Sequence, residues 1–134
     1  MKKILLIMIV VFAAMSCTVE NSLDLQTINL KVNQSEWEEL TDADGLNRYY
    51  FATFTMPEIT NQVLEYGNVN AYIVLDNSQQ ILPYVRHFQD SEGFLWTRTV
   101  DYEYLNGRFN IFVTNSDFIE EIPETMSFRV VLLW

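Results

Sequence analysis

Apolar and polar residues alternate at Ile28, Leu30 and Val32, with Asn29 and Lys31 between them. A period of two is the pattern of a half-buried strand. The same period returns at Val69, Ala71, Ile73 and Leu75, after which Asp76-Asn77-Ser78 turns the chain toward a strand at 81–86. Residues 48–55, rich in Tyr, Phe and Thr, predict another strand, and residues 94–105 and 108–114 flank Asn106-Gly107. That dipeptide marks a tight hairpin, because a type I′ turn needs positive φ at both central residues. Residues 127–133 carry apolar side chains on both faces, as a central strand does. The pattern predicts an all-β fold, an antiparallel β-sandwich of about seven strands over residues 27–134.

Two short helical pieces interrupt the strands. Ser35 and Glu38 have the spacing of a capping box, and Thr60 is placed to cap a helix ending at Gly67, with Ile59 stapled to Leu64.

The hairpin fixes which aromatics face inward. A two-residue turn pairs Leu105 with Arg108, then Tyr104 with Phe109, Tyr102 with Ile111 and Val100 with Val113 on one face. That face is the predicted core, so Tyr102 and Tyr104, and by parity Trp96 and Phe94, are expected to pack rather than to form a sugar-stacking platform. The other face pairs Glu103 with Asn110, Asp101 with Phe112 and Thr99 with Thr114, and solvent would see it.

The first residues follow a different logic. Lys2 and Lys3 precede an apolar run over residues 4–15, too short for the roughly 20 residues of a spanning helix. A basic start, a short apolar run and then small residues are the features of a signal peptide. Ala14-Met15-Ser16-Cys17 resembles the lipobox of bacterial lipoproteins, although that pattern prefers Leu where Ala14 stands and a small residue where Met15 stands. The expectation is a signal peptide at 1–16, Cys17 as the lipidated (palmitate-bearing) new N-terminus, and a flexible tether at 17–26. Two or three acyl chains hold a small domain on a membrane where one does so only marginally.

Charge and composition then narrow the function classes. The chain has 134 residues and a net charge of −10, which becomes −12 once Lys2 and Lys3 leave with the leader. That sign is wrong for phosphate backbones, so no nucleic acid partner is expected. One Cys and one His exclude an internal disulfide and a His/Cys zinc site, and no motif calls for a cofactor.

Four sets of residues invite a chemical reading. Asp42, Asp44 and Asn47, around Gly45, resemble the opening of a calcium loop, but the acid that should close it is missing and Asp/Asn/Gly clusters are ordinary turn chemistry. His87 would need a nucleophile and an orienting group converging on it to act as a base; its plainer reading is a surface residue at a strand end. Glu38/Glu39 and Glu120/Glu121 are adjacent acids, which do not face each other across a cleft as glycosidase carboxylates must. They read as solvated edge charges. Trp37, Tyr49, Phe112 and Phe118 are the aromatics that the pattern does not place in the core, and they are the candidates for binding a glycan.

Several segments together resemble a family of small lipoproteins of the Bacteroidota. They are Trp37, residues 56–60 with Val63, Leu64, Glu65 and Gly67, then Val69-Asn70-Ala71-Tyr72, Leu82-Pro83 and Phe128-Arg129-Val130-Val131. Family members commonly continue past the last strand, whereas this chain stops at Trp134. The resemblance implies an all-β, outer-membrane-anchored domain and brings no catalytic residues with it. Acidic residues clustered after the Cys mark export to the outer face in such proteins; here only Glu20 lies close, which leaves the periplasmic and surface faces both open. The expected function is a non-enzymatic structural or protein-interaction module of the cell envelope. The alternatives are a glycan-binding accessory lipoprotein and, third, a small envelope hydrolase.

Overall fold

The computed structural model describes residues 23–119 and 121–134; the segment expected to be a signal peptide, Cys17 and Glu120 lie outside them. Among the described residues nine strands form two antiparallel sheets, one on the other, the expected all-β sandwich. The first sheet contains β1 (Leu25–Val32), β4 (Asn68–Leu75), β5 (Ser78–Ile81) and β9 (Met126–Leu133), in the order β1-β9-β4-β5. The second contains β2 (Glu38–Thr41), β3 (Arg48–Thr55), β6 (Tyr84–Gln89), β7 (Leu95–Leu105) and β8 (Arg108–Asn115), in the order β2-β3-β8-β7-β6. Among the described residues no helix is long and apolar enough to cross a membrane.

Alternation builds the core from both sheets. Val32, Val69, Ala71, Ile73, Met126, Phe128, Val130 and Leu132 project from the first sheet; Tyr50, Ala52, Val100, Phe109, Ile111 and Val113 meet them from the second. Each Val, Leu, Ile, Met or Phe side chain so buried contributes about 1.5–3 kcal/mol relative to exposure. The Tyr102 hydroxyl donates to the Val69 carbonyl at 2.8 Å and ties the two sheets together. β9 is central, flanked by β1 and β4, as its apolar faces require.

The hairpin register holds pair by pair from Thr99 opposite Thr114 to Leu105 opposite Arg108. Gly107 has φ +72°, but Asn106 does not share a positive φ, so the register survives on a two-residue turn that is not the expected type I′. The short helix α1 (Asn61–Tyr66) forms where expected: the Thr60 hydroxyl accepts from the Val63 amide at 3.3 Å, and the Gly67 amide closes the helix on the Val63 carbonyl.

Other expectations need correction. The tether drawn at 17–26 runs too far, because Leu25 and Gln26 already pair with Leu133 and Leu132, and Asp24 exchanges backbone hydrogen bonds with Trp134. The strand expected at 81–86 is two strands in different sheets, since the chain leaves β5, buries Leu82 and passes a cis Leu82-Pro83 bond before β6. The capping box belongs to Asn33 and Glu36: the Glu36 carboxylate accepts from the Asn33 amide at 2.7 Å, while Glu38 starts β2. Leu64 is exposed, and Val63 is the α1 residue that enters the core. Phe94, expected inside, is 67% exposed beyond the end of β7, and Tyr104 is also exposed.

Candidate binding face of the five-stranded sheet

Side chains that alternate away from the core in β2, β3, β7 and β8 share one outward face. In β3 these are Tyr49, Phe51 and Thr53; in β8 they are Asn110, Phe112 and Thr114; in β7 they are Thr99, Asp101 and Glu103. Asn110, expected in solvent, is buried between Thr53 and Glu103. Register places Glu38 opposite Phe51, Phe51 opposite Phe112, and Phe112 opposite Asp101. One row across four strands therefore reads acid, Phe, Phe, acid.

The rings along this row touch. Phe51 and Phe112 have centroids 5.4 Å apart at 41°, and Tyr49 lies 6.1 Å from Phe112 at 57°. All three are half-buried. Beside them an open concavity of about 560 Å³ is lined by Tyr49, Pro83, Asp101, Tyr102, Glu103, Phe112 and Thr114.

Two carboxylates stand on its β7 wall. Glu103 accepts from Asn110 Nδ2 at 2.8 Å, and Asn110 Oδ1 accepts from the Thr53 hydroxyl at 2.7 Å, so a polar row over three strands holds Glu103 in place. Asp101 has no side-chain hydrogen bond or ion pair among the described residues. Burial first, and then the charge of Glu103, raise its carboxyl above the ordinary value of 3.8.

The four aromatic candidates divide. Tyr49 and Phe112 come together on this face, joined by Phe51, which the sequence reading passed over although its i+2 spacing from Tyr49 put both on one side of β3. Trp37 does not join them. It is 7% exposed, part of the core, with Nε1 donating to the Glu124 carbonyl at 3.2 Å. The indole can enter the core because that carbonyl satisfies its one donor. Phe118 sits in the β8–β9 connection with φ +53° and does not line the concavity.

At the β2–β3 turn, Asp42 Oδ1 accepts from the amides of Leu46 and Asn47, its other oxygen binds the Asn47 side chain, and Asp44 Oδ1 accepts from Leu46. Hydrogen bonding to Asp44, and after it to Asn47, holds the Asp42 carboxyl below its ordinary value. These oxygens serve the turn itself. Among the described residues no three His, Cys, Asp or Glu side chains gather as a metal-ligand set.

His87 is exposed on β6, with Nδ1 2.9 Å from the Thr97 hydroxyl, and does not line the concavity. Glu38 and Glu39 are exposed on edge strand β2, where Glu39 lies 3.2 Å from Arg48. Glu121 is exposed, its carboxylate 4.0 Å from Arg98.

Arg98 is a feature the sequence reading did not single out. It has core parity in β7, is 7% exposed, and donates to Asn115 Oδ1 at 3.0 Å and to Glu124 Oε2 at 2.8 Å. Its guanidinium also lies 5.3 Å from the Trp96 ring centroid, against which Phe88 stacks at 4.4 Å. The period-two pattern could have shown a charge between Trp96 and Val100 on the inward face.

No protein-family model, curated protein or solved structure matches the chain.

Proposed function

We propose that the chain is a non-enzymatic, lipid-anchored module of the cell envelope whose binding surface is the outward face of the five-stranded sheet. The observation that carries the binding half is the run of Tyr49, Phe51 and Phe112 on a solvent-facing sheet surface beside an open concavity. Sheet faces turned to water are ordinarily polar, and an aromatic patch rimmed by polar groups is the usual form of an interaction site. The anchoring half rests on the leader, the lipobox-like Ala14-Met15-Ser16-Cys17 and the resemblance to Bacteroidota lipoproteins. A hydrolase would need His87 and a carboxylate in one pocket, whereas His87 pairs with Thr97.

Photo-crosslinking in intact cells tests the surface. A benzophenone side chain at Thr114, on the concavity wall, should capture a partner, and the same group at Thr27, on the outer face of the other sheet, should not. Equal or absent capture at both sites overturns the assignment. Cys17→Ala should move the protein from the membrane to the soluble fraction; retention in the membrane overturns the anchor.

The Tyr49–Phe112 pair, at 6.1 Å with two carboxylates nearby, also favours a second reading, a glycan-binding accessory lipoprotein. Rings that stack on sugars and acids that accept hydrogen bonds from hydroxyls line one concavity here. Neutral oligosaccharides in the binding experiment below separate the two.

A further inference from the structure

The chemistry of the row defines its ligand more narrowly than an aromatic patch alone would. This step rests on the outward face being the binding surface. A sugar ring is flat and stacks best on one ring or on coplanar rings. Here the planes of Phe51 and Tyr49 are turned 41° and 57° from Phe112, which makes a faceted trough rather than a shelf.

The trough is closed by acids at both ends. Glu38 pairs with Phe51 from β2, and Asp101 pairs with Phe112 from β7. Three strand spacings of about 4.8 Å put these two backbone positions roughly 14 Å apart. Glu103 adds a third carboxylate two residues from Asp101, fixed by Asn110 and Thr53.

No basic side chain lines the concavity at the Asp101 end of the row; at the other end Glu38 lines a separate cavity together with Lys31. The basic residue of β8, Arg108, is paired with Leu105 and Thr55 at the far end of the strand, two rows beyond Phe112. Asp101 is left half-buried against the charge of Glu103, while Arg108 stands one row from Glu103 and two from Asp101. The chain as a whole is net −10.

We propose that the Glu38–Phe51–Phe112–Asp101 row takes an arginine- or lysine-bearing segment of a partner protein, the cation lying over the Phe rings and paired to the carboxylates. Aromatic faces attract cations through the ring quadrupole, and the attraction grows when the charge is desolvated. Arginine suits the row better than lysine, because its planar guanidinium stacks on rings and presents two parallel N–H groups to a carboxylate. Opposite charge on the partner also excludes acidic competitors.

The test is an NMR titration of the full chain in detergent with three probes: a short Gly/Ser peptide carrying two arginines, the same peptide with glutamines, and a neutral hexasaccharide. The arginine peptide should shift the amide resonances of 99–103 and 110–114, and the other two probes should not. Asp101→Asn and Phe112→Ala should each weaken the peptide by about tenfold, equivalent to 1.4 kcal/mol, and raised salt should weaken it further. Asp101→Asn removes a repulsion and keeps the fold, so its loss of binding is not a loss of structure.

Three results overturn the proposal. If the hexasaccharide shifts those resonances and the arginine peptide does not, the face binds glycans and only the ligand class is wrong. If the peptide binds both variants as well as it binds the parent, the attraction is diffuse charge and the row is no site. If no probe shifts the face, the cation inference fails, while crosslinking at Thr114 still decides whether the face is a binding surface.

Discussion

Asp101 of β7 stands directly opposite Phe112 of β8 on the outward sheet face, with Glu103 two residues further on the same side. Desolvation, and then Glu103, raise its carboxyl above 3.8. Between that value and the raised folded one, the folded chain holds a proton that the unfolded chain has released. Stability from this group is therefore complete below 3.8 and lost as pH rises through the folded value. Asp101→Asn should raise Tm at pH 7, and the two proteins should converge below pH 3.8. Thermal melts across pH check this; a variant no more stable than the parent at pH 7 contradicts it.

Arg98 joins β7 to the β8–β9 connection through two unequal contacts. Its bond to buried Asn115 and its packing on Trp96 are inside the protein, whereas the Glu124 carboxylate is largely exposed. An exposed partner contributes little, because water and salt screen it. Arg98→Ala should cost about 1–3 kcal/mol, since it strands a buried polar group and opens space beneath Trp96. Glu124→Gln should cost under about 1 kcal/mol. Urea denaturation of both variants tests the asymmetry; equal losses would show that the ion pair itself dominates.

What was legible in the sequence was local. Asn106-Gly107 dictates its own turn, so every pair from Leu105–Arg108 to Thr99–Thr114, and with it the outward position of Asp101 and Phe112, follows from counting. Phe51 meets Phe112 only because β3 pairs with β8 across some sixty residues of chain, a pairing that no local pattern encodes. Pro83 was visible, but which sheet each side of it would join depends on the sandwich as a whole. Trp37 looked exposed because its neighbours are Glu36 and Glu38; the Glu124 carbonyl that lets it enter the core lies 87 residues away.

Trp37→Phe tests that burial. The variant keeps most of the buried ring and loses the Nε1 bond to Glu124, so it should lose about 1–2 kcal/mol of stability. Arginine-peptide binding should stay unchanged, because Trp37 packs in the core and lines no part of the concavity. Weaker binding at unchanged stability would return Trp37 to the candidate site.

The Asp42 turn predicts a negative metal response. Its carboxylate oxygens already accept from Leu46 and Asn47, and a calcium ion would have to displace those bonds while finding its six or more oxygens in an exposed loop. Millimolar calcium should leave Tm and the amide resonances of 42–47 unchanged. A saturable calcium shift confined to those residues would mean that the loop rearranges into a site.

Gly67 is where α1 meets the end of β9 with no room for a side chain. A Cβ there would lie 2.5 Å from the Leu133 carbonyl oxygen and 2.8 Å from that of Val63, both backbone atoms. Its φ of −95° is open to any residue, so the constraint is contact and not conformation. Gly67→Ala must push the helix end off the strand, and overpacking of this kind costs typically about 1–3 kcal/mol. The strand that yields belongs to the four-stranded sheet, so the row formed by Glu38, Phe51, Phe112 and Asp101 should be undisturbed. A lower Tm with unchanged arginine-peptide affinity is the expected pair of results; an unchanged Tm would mean that the helix and β9 do not approach so closely in solution.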